Sequence, residues 1–209
     1  MNEDVFRTVA GDSEEILEEK RSEFISAVRR VSTEEEAMTF VRERKKMHPD
    51  ARHTVFAYLL KDGGKRYGDD SEPQGTAGIP TLRAIEARGL ADVCVATTRY
   101  FGGILLGAGG LTRAYGAAAH EALEAAGIAE FVPFTDLTLD LTYPDYQKLL
   151  QELPRFLARE RATDFAERVT LTVGLPAERV SAFLDRLTDL TAGRASAAMG
   201  QTILDAKPE

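Results

Sequence analysis

Two short stretches hold most of the residues that could do chemistry. The first, Gly68-Asp69-Asp70-Ser71-Glu72-Pro73-Gln74-Gly75-Thr76-Ala77-Gly78, places three acids within four positions. Asp69, Asp70 and Glu72 are oxygen ligands of the kind a divalent cation needs. If their surroundings split their proton affinities, they also make a general acid and base. The plainer reading is a solvated acidic turn held by Pro73 and Gly75, with Thr76 beside it. The second stretch runs Arg99-Tyr100-Phe101-Gly102-Gly103-Ile104-Leu105-Leu106-Gly107-Ala108-Gly109-Gly110 and continues into Leu111-Thr112-Arg113. Glycines at this density turn the backbone tightly and let a ligand come close. A helix is expected to begin near Gly110, its first N–H groups lacking internal partners. Such an end attracts anions. Arg99 at the loop's start and Arg113 in the first helical turn would add guanidinium forks for a phosphate or carboxylate. The plainer reading is a strand–helix connection that needs glycine only for packing. The spacing matches neither the phosphate loop of NTPases nor the dinucleotide fingerprint.

Single residues add little. Cys94 is the one cysteine and sits in Val93-Cys94-Val95-Ala96, a buried-strand pattern, so an inert core thiol is expected rather than a nucleophile. It cannot form an internal disulfide. With His48, His53 and His120 scattered, no familiar zinc spacing arises and no metal site is expected. His53 opens a strand and is either a site residue or a structural hydrogen-bonding group. His120 and Glu124 stand four apart on a helix, where a simple pair is expected. No Ser/His/Asp or Cys/His set can be paired, so no catalytic residue is assigned and no cofactor is implied.

The elements that must position the two stretches follow from periodicity. Residues 23–28 read as a strand, preceded by a charged strand or loop. Ser32 and Thr33, with Glu35 or Glu36 three residues on, form a capping-box start for a helix that ends before Pro49. Residues 53–60 and 91–98 are apolar on both faces and therefore central strands. Pro80 suits the first turn of a helix stopped at Gly89, and a long helix is expected from Gly110 to Ala126. Residues 61–78 and 101–110 are left as loops. Beyond these, Leu137, Leu139 and Leu141 alternate, and Val180, Phe183, Leu184, Leu187 and Leu190 form a helical stripe. The order β-α-β-β-α-β over the last part of the chain is that of a ferredoxin-like unit. A boundary is expected where Pro133 interrupts the chain, giving domains of residues 1–132 and 133–209.

Composition sets the outer limits. With 44% hydrophobic and 29% charged residues, the chain suits an ordinary folded protein. No apolar run approaches the ~18 residues of a membrane helix, and the acidic N-terminus is unlike a signal peptide, so a cytoplasmic protein with no membrane partner is expected. A net charge of −8 argues against non-specific coating of nucleic acid but leaves room for a local basic patch.

The segment from Asp69 to Pro80 resembles the DDGEP-x-GTAG-x-P segment of the YigZ/IMPACT family. The segment Thr97-Thr98-Arg99-Tyr100-Phe101-Gly102-Gly103 and onward to Tyr115 is similar to that family's TRYFGG-x-x-LG-x-GGL-x-RAY signature. Lys20-Arg21-Ser22-Glu23-Phe24-Ile25, Ala51-Arg52-His53 and Ala57-Tyr58 resemble further family segments. Ser71 stands where the family has glycine, and Thr54 follows His53 where it often has asparagine. The resemblance implies an α+β protein: an N-terminal domain like domain 2 of ribosomal protein S5, then a ferredoxin-like domain like domain V of elongation factor G. It also implies a link to translation and its regulation.

Beside a protein-partner adaptor that binds no RNA, two functions compete. One is a non-enzymatic protein that binds RNA, the ribosome or a translation factor through the N-terminal domain. The other is an enzyme or sensor for a small phosphorylated or carboxylated ligand. In the second, Arg99, Gly102, Gly103, Gly109, Gly110 and Arg113 would hold the anion, and His53, Asp69, Asp70, Glu72, Gly75 and Thr76 would line the site.

Overall fold

The computed structural model describes residues 5–207. Strand β1 (Phe6–Val9) leads to a hairpin of β2 (Ser13–Glu19) and β3 (Ser22–Arg30), then α1 (Glu34–Met47). β4 (His53–Leu59), β5 (Lys65–Gly68), α2 (Gly78–Ala87), β6 (Val93–Tyr100) and α3 (Gly107–Ala125) follow. After them come β7 (Ile128–Leu141), α4 (Tyr143–Leu150), β8 (Arg159–Phe165), β9 (Val169–Pro176), α5 (Val180–Thr191) and β10 (Ser196–Ala206). Two compact units result, Phe6–Ala129 and a second of Val5 with residues 130–207. The change of unit falls inside β7, not at a break. Pro133, expected to interrupt the chain, lies in that strand opposite Leu204.

In the first unit five strands run in the order β2-β3-β6-β4-β5, every neighbouring pair antiparallel. Alternation sends β6 side chains to opposite faces. Cys94 and Ala96 pack with Ala37, Phe40 and Val41 of α1. Val93 and Val95 pack with Leu82 and Ile85 of α2 and with Ala119, Ala122 and Leu123 of α3. That double burial is why residues 93–98 contain no charged side chain. Thr33 caps α1 by accepting from the Glu36 amide at 3.2 Å. Glu36 reaches back one residue further than a standard capping box, accepting from the Ser32 amide at 2.6 Å.

Two boundaries differ from expectation. β5 was not anticipated within residues 61–78. It is a four-residue edge strand joined to β4 by a tight turn, in which the Leu60 amide donates to the Gly64 carbonyl at 2.7 Å. Its charged, exposed residues carry no hydrophobic period. α3 starts at Gly107, three residues earlier than Gly110, so Gly109 and Gly110 lie inside its first turn.

The second unit is the expected βαββαβ arrangement, with strands in the order β10-β7-β9-β8 and all pairs antiparallel. Its core joins Leu137, Leu139 and Leu141 of β7 and Leu171 and Val173 of β9 to Leu149 of α4 and Phe183 and Leu187 of α5. Thr142 caps α4, and Asp145 in its first turn receives Arg194 at 2.8 Å. Arg194, and then the Thr142 hydroxyl, which also donates to Asp145 Oδ2 at 2.8 Å, hold the Asp145 carboxyl below the usual aspartate range.

Candidate functional site

Three strands of the first unit set a row of side chains across one sheet face. The register places Arg99 of β6 between Phe24 of β3 and His53 of β4. Opposite residues on antiparallel neighbours share a face. The row therefore lies on the α3 side, in line with Val93 and Val95. Above it, the Tyr115 ring of α3 meets Phe24 edge-on, with centroids 4.9 Å apart. The Arg99 guanidinium lies 5.4 Å from the Phe24 ring centre and 5.6 Å from that of Phe101.

The acid loop delivers the counter-charge. Asp69 accepts the Glu72 amide through its carbonyl at 3.0 Å, closing a turn whose central residues Asp70 and Ser71 have φ of 46° and 73°. That left-handed pair aims Glu72 inward. Glu72 Oε1 accepts from Arg99 Nη1 at 2.7 Å and from the Tyr115 hydroxyl at 2.8 Å, and His53 Nε2 lies 3.9 Å away. Glu72 and Arg99 are only 8% and 6% exposed, which makes this a buried ion pair. Burial, followed by the neighbouring Glu72 charge, pushes the Tyr115 hydroxyl far above its ordinary pKa, so it stays a donor. Arg99 Nη2 also reaches Ser22 Oγ at 3.4 Å, and the same oxygen accepts from the Gly102 amide at 3.2 Å. Arg99 Nε and His53 Nδ1 are buried without a hydrogen-bond partner among the described residues.

The remaining acids are consumed by structure. Asp69 accepts from the Gly75 amide at 2.8 Å and, through its other oxygen, from the Ala77 and Gly78 amides at 3.0 and 2.8 Å. It thereby caps α2, whose own N-cap residue, Ala77, has no side-chain oxygen. Asp70 accepts from the Thr54 amide and Lys45 Nζ at 2.8 and 2.9 Å. Partial burial raises its pKa, but these two donors outweigh that and leave the carboxyl below its ordinary value. Thr76 donates to the Pro73 carbonyl at 2.6 Å. Gly75, with φ of +77°, makes the bend that turns its amide onto Asp69. The loop is thus not a solvated turn but a set of carboxylates bound to neighbouring donors, and among the described residues no group of three His, Cys, Asp or Glu is placed to hold a metal.

Beside the ion pair opens a cleft of about 350 Å³ lined by Arg52, His53, Glu72, Arg99, Phe101 and Leu105, with Gly107, Ala108 and Leu111 of α3. Of the glycine-rich loop, Gly102 packs against the β2–β3 turn. A methyl there would stand 2.0 Å from the Arg21 carbonyl carbon and oxygen, so no other residue fits. The Gly102 amide is taken by Ser22, while Gly103 turns the chain outward at φ of +86°. The loop's apolar side chains then face solvent: Phe101, Ile104 and Leu105 are 39%, 42% and 83% exposed. Arg52 lies 5.9 Å from the Phe101 ring centre at the rim. Leu106, the N-cap residue of α3, makes no side-chain capping hydrogen bond.

Arg113 is not part of this cleft. Because α3 starts early, Arg113 falls in the second turn and borders a separate hollow with Leu17, Glu19 and Lys20. The expected pair of arginines around one anion is therefore not formed, and Arg99 already has an acid of its own. Gly109 and Gly110 serve the helix, the latter against Leu106. Tyr115 and Ser22 were not anticipated at the site. Both lie within segments noted in the sequence, Tyr115 inside the expected long helix and Ser22 just before the expected strand of residues 23–28. Burial pushes the Cys94 thiol up to about 12, in keeping with an inert core residue.

Fold and site define an α+β protein whose first unit is of the S5-domain-2-like type, braced at one end by a buried Arg–Glu–Tyr cluster, and whose second is ferredoxin-like. Residues 20–123 match the Impact N-terminal domain, and residues 139–194 match a domain of unknown function (DUF1949). The chain is 38% identical to IMPACT family member YvyE of Bacillus subtilis, covering 92% of this chain and 88% of that one. It is 35% identical to IMPACT family member YigZ of Escherichia coli, with 85% and 90% covered. A crystal structure described as that of "an hypothetical protein" is 31% identical, with a TM-score of 0.61 over 95% of this chain and 98% of the other. This chain belongs to the IMPACT family.

Proposed function

We propose that the protein is a non-enzymatic, cytoplasmic binding protein of the translation apparatus that engages its target with the glycine-rich loop and the adjoining cleft. The observation that carries this reading is the outward apolar tip, with Leu105 83% exposed above a floor whose charges are mutually neutralised. Holding an apolar side chain in water is unfavourable by ~25 cal/mol per Å², and covering it on a partner recovers that free energy. The partner presents an apolar surface, which favours a protein component of the ribosome or a translation factor over bare RNA. The chain's net charge of −8 points the same way. A salt series of ribosome co-sedimentation and of binding to purified translation factors tests the proposal. Association that persists between roughly 50 and 200 mM salt supports an apolar protein contact. A fall of about 10³-fold marks phosphate contacts and favours RNA. Absence of binding to both overturns the reading.

A second reading has its own observation. Gly107 and Ala108, in the first turn of α3, line the cleft together with Arg52 and His53. A small phosphorylated or carboxylated ligand would find backbone donors and a guanidinium there. Thermal shifts with nucleotides and sugar phosphates, with and without magnesium, and their loss in Arg52→Ala would select it.

A further inference from the structure

The sheet of the second unit has two unlike edges. β8 carries Arg159, Glu160, Arg161 and Asp164 among its seven residues. Charges of this kind are a common means of stopping an open edge from pairing with another strand. At the other edge, residues 196–204 of β10 read Ser-Ala-Ala-Met-Gly-Gln-Thr-Ile-Leu, with no charge and no proline, and all nine are exposed. Among the described residues β10 is paired only with β7, so its outer row of N–H and C=O groups faces solvent.

The exposure of β10 is greater than edge position alone explains. Its register sets Met199 opposite Leu137 and Ala197 opposite Leu139. Leu137 and Leu139 are fully buried beneath α4 and α5, so Met199 and Ala197 project to the same, helix-covered side. Yet Met199 is 68% exposed, and β10 supplies no residue to that core. The helices therefore stop short of this strand. It presents an unpaired edge together with uncovered apolar side chains.

We propose that β10 is the interface for a second copy of this chain, the two strands pairing antiparallel to join the sheets of the two copies into one. A two-fold axis perpendicular to the strands sets identical strands antiparallel. Each residue of 196–204 would then face another from the same uncharged segment, so no register within it opposes like charges. The same operation on β8 about Ala162 would set Glu160 against Asp164. The partner strand satisfies the open hydrogen-bonding row and brings its own Met199 to the uncovered face. One strand pair makes a small interface, so the dimer is concentration-dependent.

Sedimentation velocity on the full chain, from about 1 to 500 µM, together with amide hydrogen exchange at both extremes, tests this. The expected result is a monomer–dimer equilibrium with slowed exchange in residues 196–204 as concentration rises. Met199→Lys and Ile203→Lys, both at exposed positions, should each weaken dimerisation at least tenfold with an unchanged circular dichroism spectrum. A monomer at every concentration overturns the proposal. So does a dimer that survives both substitutions, or protection that rises elsewhere and not in β10.

Discussion

The two loops that border the cleft use their polar groups in opposite ways. The acid loop, from Gly68 to Gly78, turns every carboxylate inward: Asp69 onto α2, Asp70 onto β4 and α1, and Glu72 onto Arg99 and Tyr115. The glycine-rich loop, from Phe101 to Leu106, turns one amide inward, that of Gly102, and exposes its apolar side chains. The first loop is a brace and the second a presented surface. An abundance of chemically able residues is therefore a poor guide to which polar groups a loop leaves free. The loop with three acids has none to spare, and the loop with none leaves apolar side chains in solvent.

This contrast can be broken first at its strongest point. Glu72→Gln removes the charge opposite a buried guanidinium, and breaking such a pair typically costs about 3–5 kcal/mol. Urea unfolding should show a loss of that order. The double change Glu72→Leu with Arg99→Met should lose much less than the two single changes summed. If Glu72→Gln is silent, the brace is not one. The next effect has the opposite sign. Ser71 holds φ of 73° directly after Asp70 at 46°, a region costing L-residues roughly 1–2 kcal/mol, and it stands where the family resemblance has glycine. Ser71→Gly should raise stability by about 1 kcal/mol, read as a higher denaturant midpoint at unchanged slope.

The smallest effect depends on pH. The folded-state pKa of Asp70 is depressed, so the unfolded chain takes up its proton first as pH falls. Its contribution is present above the ordinary aspartate value of 3.8 and is lost as pH drops below that value through the folded pKa. Unfolding free energies between pH 6 and 2.5, as a planned range of roughly those limits, should fall less steeply for Asp70→Asn than for the parent chain.

Much of this architecture was legible in the sequence because it rests on periodicity. The doubly apolar β4 and β6, the α1 cap at Thr33 and the β7 and α5 stripes all follow from patterns of two or 3.6. β5 escaped because a short, charged edge strand has no such pattern. The start of α3 escaped because Gly107, Gly109 and Gly110 read as loop residues, although tertiary packing holds them in the helix. At the site, residue types pointed to Arg99, His53 and Glu72, which the fold does bring together. What no local pattern could tell was pairing. That Glu72 would neutralise Arg99, and that Arg113 would turn to another hollow, depends on contacts dozens of residues apart.

Leu105→Asp tests the central claim most directly, because it alters the presented loop and nothing beneath it. An exposed substitution of this kind changes folding stability by no more than about 0.5 kcal/mol. Measured against the same translation-apparatus preparation, the parent chain should bind and Leu105→Asp should lose at least tenfold in affinity with an unchanged melting temperature. Equal binding by both chains would contradict the assignment of this loop as the docking surface.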